Sequence, residues 1–408
     1  MQAGFPPSSE APGEFPHASD LQYINRIVKA TVSTGFEMYN PHSEKALVEL
    51  KQMGFTQVIL DWPNLHQAAA DCGLKFVLAH WWNDKTTEEE ILSAVERARS
   101  VDRGSLIGFS VMDEPERNSP DTPFGFYVDL YEKLKPIFAQ EFSGTRLEIS
   151  HWGPLARWTD EHYEYFSYLY EAADVMRIMP YPDLHEAPLC EVFLMMQRTQ
   201  RLMKLADRRI PLVVILQTWV LPPENKLPEI AELRVMLWQA MLCGAETVSF
   251  FDYNQDVWSQ TPGFAEQFRE LMQEATSFQR RFGGMTAEST MSRDGVLSAR
   301  VKSSDGKFHQ ILVNTRRTAV GSLDPLAVLI SEIRGSEESV AACDVPSCRQ
   351  TCDVCHSWNS ASGMSVICHQ NHGLATTWCR DRAETVFSAC SSRPRSDRRC
   401  RLRRRLRR

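Results

Sequence analysis

Two adjacent acidic residues, Asp113 and Glu114, follow a short apolar segment in LIGFSVMDEPE, and Pro115 marks the point where that segment ends as a strand. Neighbouring carboxyl groups repel each other, and burial among aromatic residues would raise the pKa of one of them. Such a group is protonated near neutral pH and can serve as a general acid, with Glu114 as the expected proton donor. The alternative interpretation is that DEP merely opens a loop with helix-capping acids.

Other short apolar segments are also followed by polar and aromatic residues that suit sugar binding. Aromatic rings pack against the C–H faces of pyranose rings, while Asp, Gln, His and Tyr side chains bind the hydroxyl groups. A single tryptophan is as well explained by core packing, but the set as a whole favours a carbohydrate groove. The residues predicted to bind substrate are Asp61, Trp81, Trp82, His151, Trp152, Tyr181, Asp183, Gln217, Trp219, Asp252, Tyr253 and Trp258.

The elements that would position these residues alternate regularly along the chain. Eight apolar segments predict strands over residues 30–37, 56–61, 75–81, 106–113, 146–152, 175–181, 212–219 and 247–253, with amphipathic helical patterns between them. Strands that are apolar nearly throughout are buried on both faces, as parallel strands covered by helices are. The pattern predicts an α/β protein with a (β/α)8 TIM barrel, whose active site lies where the strands lead into the following loops. A doubly wound sheet would need a Gly-rich phosphate turn after its first strand, and the sequence has none there.

The sequence divides into four predicted parts. Residues 1–22 form a flexible leader, residues 23–282 the catalytic barrel, residues 283–320 the start of a small, truncated β-domain, and residues 321–408 an irregular Cys/Arg-rich tail. Asp305 and Gly306 predict a hairpin turn in the β-domain. In the tail, the spacing of Cys352, Cys355, Cys368 and His372 could bind zinc, but the simpler interpretation is a segment not selected to fold, such as a reading-frame slip.

Charge and composition exclude several classes of function. The chain has 408 residues and a formal net charge of −7, but residues 393–408 alone carry +9, which leaves −16 on the rest. An acidic body is a poor candidate for specific nucleic-acid binding.

Neither a membrane span nor a signal peptide is recognisable, so the chain as written is expected to be soluble and cytoplasmic, although relatives of this fold are often exported. No cofactor is predicted.

The barrel pattern resembles the glycoside hydrolase barrels over roughly residues 25–282. The resemblance rests on the eight β-then-α units, on DEP at the fourth strand, on GLKFVLAHWW, and on RVMLWQAMLCGAETVSFFDYN, with Arg234, Trp238, Gly244 and Ala245. It implies that Glu114 occupies the acid/base position of the clan A enzymes, with Asp113 in place of the usual Asn. It also implies a departure, because Gln217 stands where the retaining enzymes have a Glu nucleophile, and an amide cannot form the glycosyl ester.

Three hypotheses therefore remain for the chemistry. Asp113 could orient a 2-acetamido group of the substrate as nucleophile, as in N-acetylhexosaminidases with an Asp-Glu pair; Asp252 or Asp183 could supply the base or nucleophile; or the barrel could bind sugar without cleaving it. A less favoured class is a metal-dependent hydrolase that uses His80, His151 and Asp252, although the first strand lacks the paired histidines of such sites. The leading prediction is a glycosidase with Glu114 as general acid/base and Asp113 as its partner.

Overall fold

The computed structural model describes residues 20–61, 63–110, 124–152, 173–182, 187–205, 207–220 and 227–333, and only the backbone of Pro63, Phe124, Gly125, His151 and Trp152. All of these residues lie in one compact unit. The strands are β1 (Val28–Thr31), β2 (Gly35–Tyr39), β3 (Gln57–Leu60), β4 (Lys75–Ala79), β5 (Leu106–Ser110), β6 (Arg146–Trp152), β7 (Val175–Met179), β8 (Leu212–Gln217), β9 (Thr247–Phe251), β10 (Thr286–Met291), β11 (Val296–Lys302), β12 (Phe308–Asn314) and β13 (Val328–Ile333).

Strands β2 to β9 form a closed barrel in sequence order. Each strand pairs in parallel with the next, and β2 closes the ring by pairing with β9, from Gly35 opposite Thr247 to Met38 opposite Phe250. The predicted (β/α)8 barrel is therefore confirmed. The carboxyl ends of all eight strands face the same end of the barrel, which is where such barrels carry their active sites.

Helices lie between and after the barrel strands. They are α1 (Glu44–Met53), α2 (His66–Asp71), α3 (Glu88–Ser100), α4 (Phe124–Glu141), α5 (Glu191–Leu205), α6 (Ile230–Leu242), α7 (Gln255–Gln260) and α8 (Phe264–Phe282). Local sequence determines several of their ends. The Ser43 side chain accepts a hydrogen bond from the Ala46 N–H at 3.2 Å at the start of α1, and Gly54 ends that helix at φ +96°. None of the helices in the described ranges has the length and apolarity needed to cross a membrane.

The first predicted strand, over residues 30–37, is divided in the structure. Its beginning belongs to β1, which pairs antiparallel with β10, and its end belongs to the barrel strand β2. Between the two strands, Val32 N–H donates to the Met285 carbonyl at 2.8 Å and Thr34 N–H donates to the Glu246 carbonyl at 3.0 Å. A continuous run of strand-forming residues does not reveal such a change of partner, because the partners come from distant parts of the chain.

A five-stranded antiparallel sheet, in the order β1-β10-β11-β12-β13, accompanies the barrel. The predicted hairpin is the β11–β12 pair, whose turn contains Gly306 at φ +83°. Strand β13 pairs with β12 from Phe308 opposite Ile333 to Val313 opposite Val328. It lies within residues 321–408, for which the sequence predicted no regular structure. Its strand conformation comes from the backbone hydrogen bonds that it forms with β12.

A charged cluster fills the interior of the barrel below its carboxyl end. Arg177 on β7 is 1% exposed and binds two fully buried acids, Glu37 on β2 and Glu148 on β6. Its Nη1 lies 2.6 Å from Glu37 Oε1, and its Nε lies 2.6 Å from Glu148 Oε2. Gly108 on β5 makes room for the cluster, since a Cβ there would clash with the Glu148 carboxylate. Burial alone would lower the pKa of Arg177, but the charges of Glu148 and Glu37 hold it well above its usual value, so the guanidinium stays charged.

Candidate active site at the carboxyl end of the barrel

Four neighbouring strands, β8, β9, β2 and β3, place polar residues at one rim of the barrel. Backbone hydrogen bonds continue the strand order past the strand ends: Thr218 N–H donates to the Phe251 carbonyl at 2.7 Å, Tyr253 N–H to the Tyr39 carbonyl at 3.1 Å, and Asn40 N–H to the Ile59 carbonyl at 3.0 Å. The side chains carried by these ends are Gln217, Asp252, Asn40 and Asp61. Three of these four residues were predicted from sequence to bind substrate.

Aromatic rings line the interior of the barrel next to this rim. The ring centroids of Tyr181 and Trp219 are 6.3 Å apart, those of Trp219 and Phe251 are 5.5 Å apart, and those of Phe251 and Tyr39 are 5.2 Å apart, all with edge-to-face geometry. The rings come from β2 and β9 and from the segments that follow β7 and β8, so only the closed barrel brings them together. Tyr39 and Phe251 were not among the predicted residues, although both are the last residues of apolar strands.

Gln217 is the last residue of β8 and is 4% exposed. It shares the inward-facing side of that strand with Val213 and Ile215, which belong to the cluster inside the barrel. Its Nε2 donates to the Trp219 carbonyl at 3.0 Å. Its Oε1 is buried and has no hydrogen-bond partner among the described residues. The amide is therefore held in one orientation, with a hydrogen-bond acceptor left over.

Asp61 and Asp252 form the acidic part of the rim. Burial raises the pKa of both carboxyl groups, while the charge of His42 opposes that rise in each case. His42 therefore lies within electrostatic reach of both acids, as expected for a residue that follows β2, the strand between β3 and β9. Sequence reasoning missed His42; the signal for it was its position in YNPHS, just after a barrel strand. Carboxyl groups of this kind can accept or donate protons and can bind hydroxyl groups.

Tyr253 and Trp258, which were also predicted to bind substrate, lie among the helices around the barrel. The Tyr253 hydroxyl donates to Glu49 Oε2 on α1 at 2.6 Å. The Trp258 indole N–H donates to the Thr218 carbonyl at 3.0 Å, and its ring packs 4.9 Å from the ring of Phe268. Both side chains are 3% exposed and belong to the core between barrel and helices.

The segment after β4 carries His80, Trp81 and Trp82. Trp82 is 8% exposed and stacks on His80 with ring centroids 5.0 Å apart. Trp81 is 59% exposed and lines a cavity of about 570 Å³ at the start of α3, together with Thr86, Glu89 and Arg97 among others. The two adjacent tryptophans therefore have different environments, and only Trp81 presents a largely accessible indole.

The remaining predicted residues lie outside the residues whose side chains are described. Asp113 and Glu114 follow β5 by three and four positions, and Asp183 follows β7 by four, all in segments that the structure does not describe. His151 and Trp152 are the last two residues of β6. The roles predicted for these five residues stay predictions, as do the four tail positions with zinc-ligand spacing.

Within the described ranges, no group of three His, Cys, Asp or Glu side chains is arranged to hold a metal ion. His80, a candidate ligand in the metal-hydrolase hypothesis, is packed between Trp82 and Phe109. Burial, followed by the charges of Arg97 and His66, lowers the pKa of His80 to about 3. His80 therefore packs like an aromatic core residue, and its imidazole stays neutral at neutral pH.

The two tryptophans Trp219 and Trp258 should respond differently to replacement by alanine. If the carbohydrate groove predicted from the sequence is correct, Trp219→Ala should weaken sugar binding by about tenfold and should cost less stability than Trp258→Ala, because the Trp219 ring lies at the barrel mouth. Trp258→Ala should lower the free energy of unfolding by about 3–5 kcal/mol, because it leaves a cavity in a packed core. Affinity by calorimetry and stability by urea unfolding separate the two effects. Loss of affinity in a stable Trp258 variant would contradict this assignment.

The neutral state of His80 predicts a pH dependence of stability. Below pH 6.5 the unfolded chain binds a proton at this histidine, whereas the folded protein does so only near pH 3. Stability should therefore fall as the pH drops from 6.5 towards 3, by up to about 1.4 kcal/mol per pH unit from this group. In His80→Phe, which preserves the aromatic packing, unfolding free energies measured between pH 7 and 4.5 should fall less steeply. Parallel slopes for the variant and the unchanged protein would refute the prediction.

Comparison with known proteins gives matches to structures only. No protein-family model matches the chain, and no curated protein matches it. The GH51 arabinofuranosidase from Xanthomonas axonopodis pv. citri is 12% identical, with a TM-score of 0.46 over 72% of this chain and 84% of that one. The GH128 endo-beta-1,3-glucanase from Amycolatopsis mediterranei, solved with laminaritriose, is 15% identical, with a TM-score of 0.42 over 59% of this chain and 100% of that one. A glucosidase from Croceicoccus marinus is 10% identical, with a TM-score of 0.46 over 69% and 75% of the two chains. These three matches are partial similarities of fold, at 10–15% identity and with TM-scores below 0.5.

Proposed function

We propose that this protein is a glycosidase that cleaves its substrate at the carboxyl end of the barrel, with Glu114 as general acid/base and Asp113 as its partner. The observation that carries the proposal is the joint occurrence, at this one end, of the half-buried Trp219 ring, which packs against Tyr181, with the buried, unpartnered Oε1 of Gln217. Aromatic faces next to polar atoms that await hydrogen bonds match the two surfaces of a sugar ring.

In the proposed reaction, Glu114 donates its proton to the glycosidic oxygen while the bond between that oxygen and the anomeric carbon breaks. Both acids follow β5, the fourth strand of the barrel, whose carboxyl end opens at the same face as those of β8 and β9. Asp113 orients the group that attacks the anomeric carbon. A water molecule then takes the glycosyl group from that attacking group, and Glu114 removes a proton from this water and so regains the proton that it gave to the leaving oxygen. Gln217 forms no covalent bond and instead accepts a hydrogen bond from a substrate hydroxyl.

The proposal is tested by incubating the full chain with a panel of chromogenic glycosides that includes N-acetylhexosaminides. Release of the chromophore from one or a few sugars is expected. Cleavage restricted to 2-acetamido sugars would support Asp113 as the residue that orients an internal nucleophile. Cleavage of sugars without that group would favour a protein carboxylate such as Asp252 or Asp183. If no glycoside or natural oligosaccharide is cleaved, the proposed activity is wrong.

A second candidate function is sugar binding without cleavage. The specific observation in its favour is Gln217 itself, since an amide fixed by its bond to the Trp219 carbonyl stands at the end of β8. A binding protein has no need of a carboxylate there. The two functions are separated by calorimetry and product analysis on the same oligosaccharide: binding with no product formed would support the second candidate.

A further inference from the structure

Three buried hydrogen-bond acceptors on neighbouring strand ends have no partner among the described residues. They are Oε1 of Gln217 after β8, Oδ1 of Asp252 after β9, and Oδ1 of Asn40 after β2. Gln217 and Asn40 are 4% and 9% exposed. Buried polar atoms are almost always paired in folded proteins, so acceptors left over at the carboxyl end of the barrel can take hydrogen bonds from the donors of a ligand. Hydroxyl groups are the donors that a sugar supplies.

Trp219 supplies the complementary donor. Its indole Nε1 is buried and has no partner among the described residues, and its ring lies beside Tyr181 and Phe251. An indole N–H donates only, and can bind a ring or hydroxyl oxygen of a sugar. The described rim thus offers several acceptors, one donor and an apolar wall, which suits a ligand rich in hydroxyl groups.

The charges at this rim are unfavourable for an anion. Asp61 and Asp252 flank it, and residues 40–43, 61, 218–220 and 252–254 include neither Lys nor Arg. Arg177, which lies deeper in the barrel, is already paired with Glu37 and Glu148. The basic residue next to the two rim acids is His42, whose charge lowers the pKa of both Asp61 and Asp252 and so favours their negatively charged forms. A ligand carboxylate or sulfate would supply no proton to the unpartnered acceptors and would bring like charges together.

We infer that this barrel is selective for neutral, hydroxyl-rich sugars and excludes uronates and sulfated sugars. The residues responsible are Gln217, Asp252, Asn40 and Asp61. The inference rests on the proposed function where it is tested by cleavage. It also predicts which sugars the protein binds, and that prediction holds whether or not the protein cleaves them. Gln217 and Asn40 recognise hydroxyl donors, and the two aspartates exclude anions.

The test compares matched chromogenic substrates that differ only at C6, namely each hexoside that the protein cleaves and the corresponding hexuronide. The ratio of the two kcat/KM values should favour the neutral sugar by at least about a hundredfold, because like charges are brought together in a partly buried site. Asp61→Asn removes one negative charge while keeping the shape of the side chain. It should lower the ratio of kcat/KM for the hexoside to kcat/KM for the hexuronide by about tenfold. Glu288→Gln, which removes a charge from the distant antiparallel sheet, should leave it unchanged.

Equal or better cleavage of the hexuronide would overturn the inference, as would an unaltered ratio in Asp61→Asn. If the protein cleaves no glycoside at all, the proposed activity fails but the inference is still tested, by titrating the protein with neutral disaccharides and with the matching uronate-containing disaccharides. Tighter binding of the neutral member supports selectivity in a binding protein. Tighter binding of the uronate contradicts the inference whether or not the protein is an enzyme.

Discussion

Replacing Glu114 by Gln should lower turnover of a natural glycosidic linkage by about two to four powers of ten, the range that general acid catalysis commonly contributes. Gln has nearly the shape of Glu but cannot give a proton to the departing oxygen. The affinity for substrate should change little, so the loss should appear in kcat. The measurement is the initial rate of sugar release at saturating substrate, compared with that of the unchanged protein.

The matched control is Glu116→Gln, which makes the same chemical change two residues further along DEPE. Its activity should remain close to that of the unchanged protein. An activated aryl glycoside should partly restore the activity of the Glu114 variant, because a good leaving group needs less protonation. If Glu114→Gln cleaves a natural linkage at a nearly normal rate, Glu114 is not the general acid.

Replacing Arg177 by Met should lower the free energy of unfolding by about 3–5 kcal/mol, the cost of leaving buried charges without their partner. Glu37 and Glu148 are both fully buried in the barrel and both bind this guanidinium. Met fills much of the same volume, so the loss reports the unpaired carboxylates rather than a cavity. Chemical denaturation at neutral pH measures the difference.

Arg99→Met serves as the control, since Arg99 also contacts two acids, Glu96 and Glu141, but at the surface. No measurable loss of stability is expected there, because exposed ion pairs contribute little. A second variant joins Arg177→Met to Glu37→Gln and Glu148→Gln and should regain part of the lost stability, since it removes the unpaired charges. An Arg177 variant as stable as the unchanged protein would show that the cluster does not hold the barrel together.

The same cluster connects the barrel interior to the candidate site. The Arg177 Cζ lies 5.9 Å from the centre of the Tyr39 ring, and Tyr39 packs against Phe251 at the mouth. Gln57 extends the network by donating to Glu37 Oε2 and to Thr247 Oγ1, each at 3.2 Å. The cluster thus joins side chains from β2, β3, β6, β7 and β9 directly next to the aromatic rings of the candidate site, and buried contacts of this kind help to hold side chains in one geometry.

Much of the fold could be predicted because its signals are local. Apolar runs such as LVVILQ and amphipathic segments such as EKALVELKQM are readable within a few residues, and their alternation has the period of a (β/α)8 barrel. The division of the first predicted strand into β1 and β2, and the existence of β13, could not be predicted from the sequence. Both depend on hydrogen bonds to residues far along the chain, and propensity does not encode the choice of partner.

For the candidate site, the sequence by itself determined which chemical groups lie at the ends of the strands, since strand ends follow from the apolar pattern and each end carries its own polar or aromatic residue. Only the tertiary structure decided which way those groups face. Trp219 and Tyr253 each come two residues after a barrel strand, yet the Trp219 ring packs against Phe251 at the mouth and the Tyr253 ring packs against Trp258 among the helices. The physical reason is that inward and outward positions alternate only while the strand continues. Beyond its last residue, packing against distant elements sets the direction of each side chain.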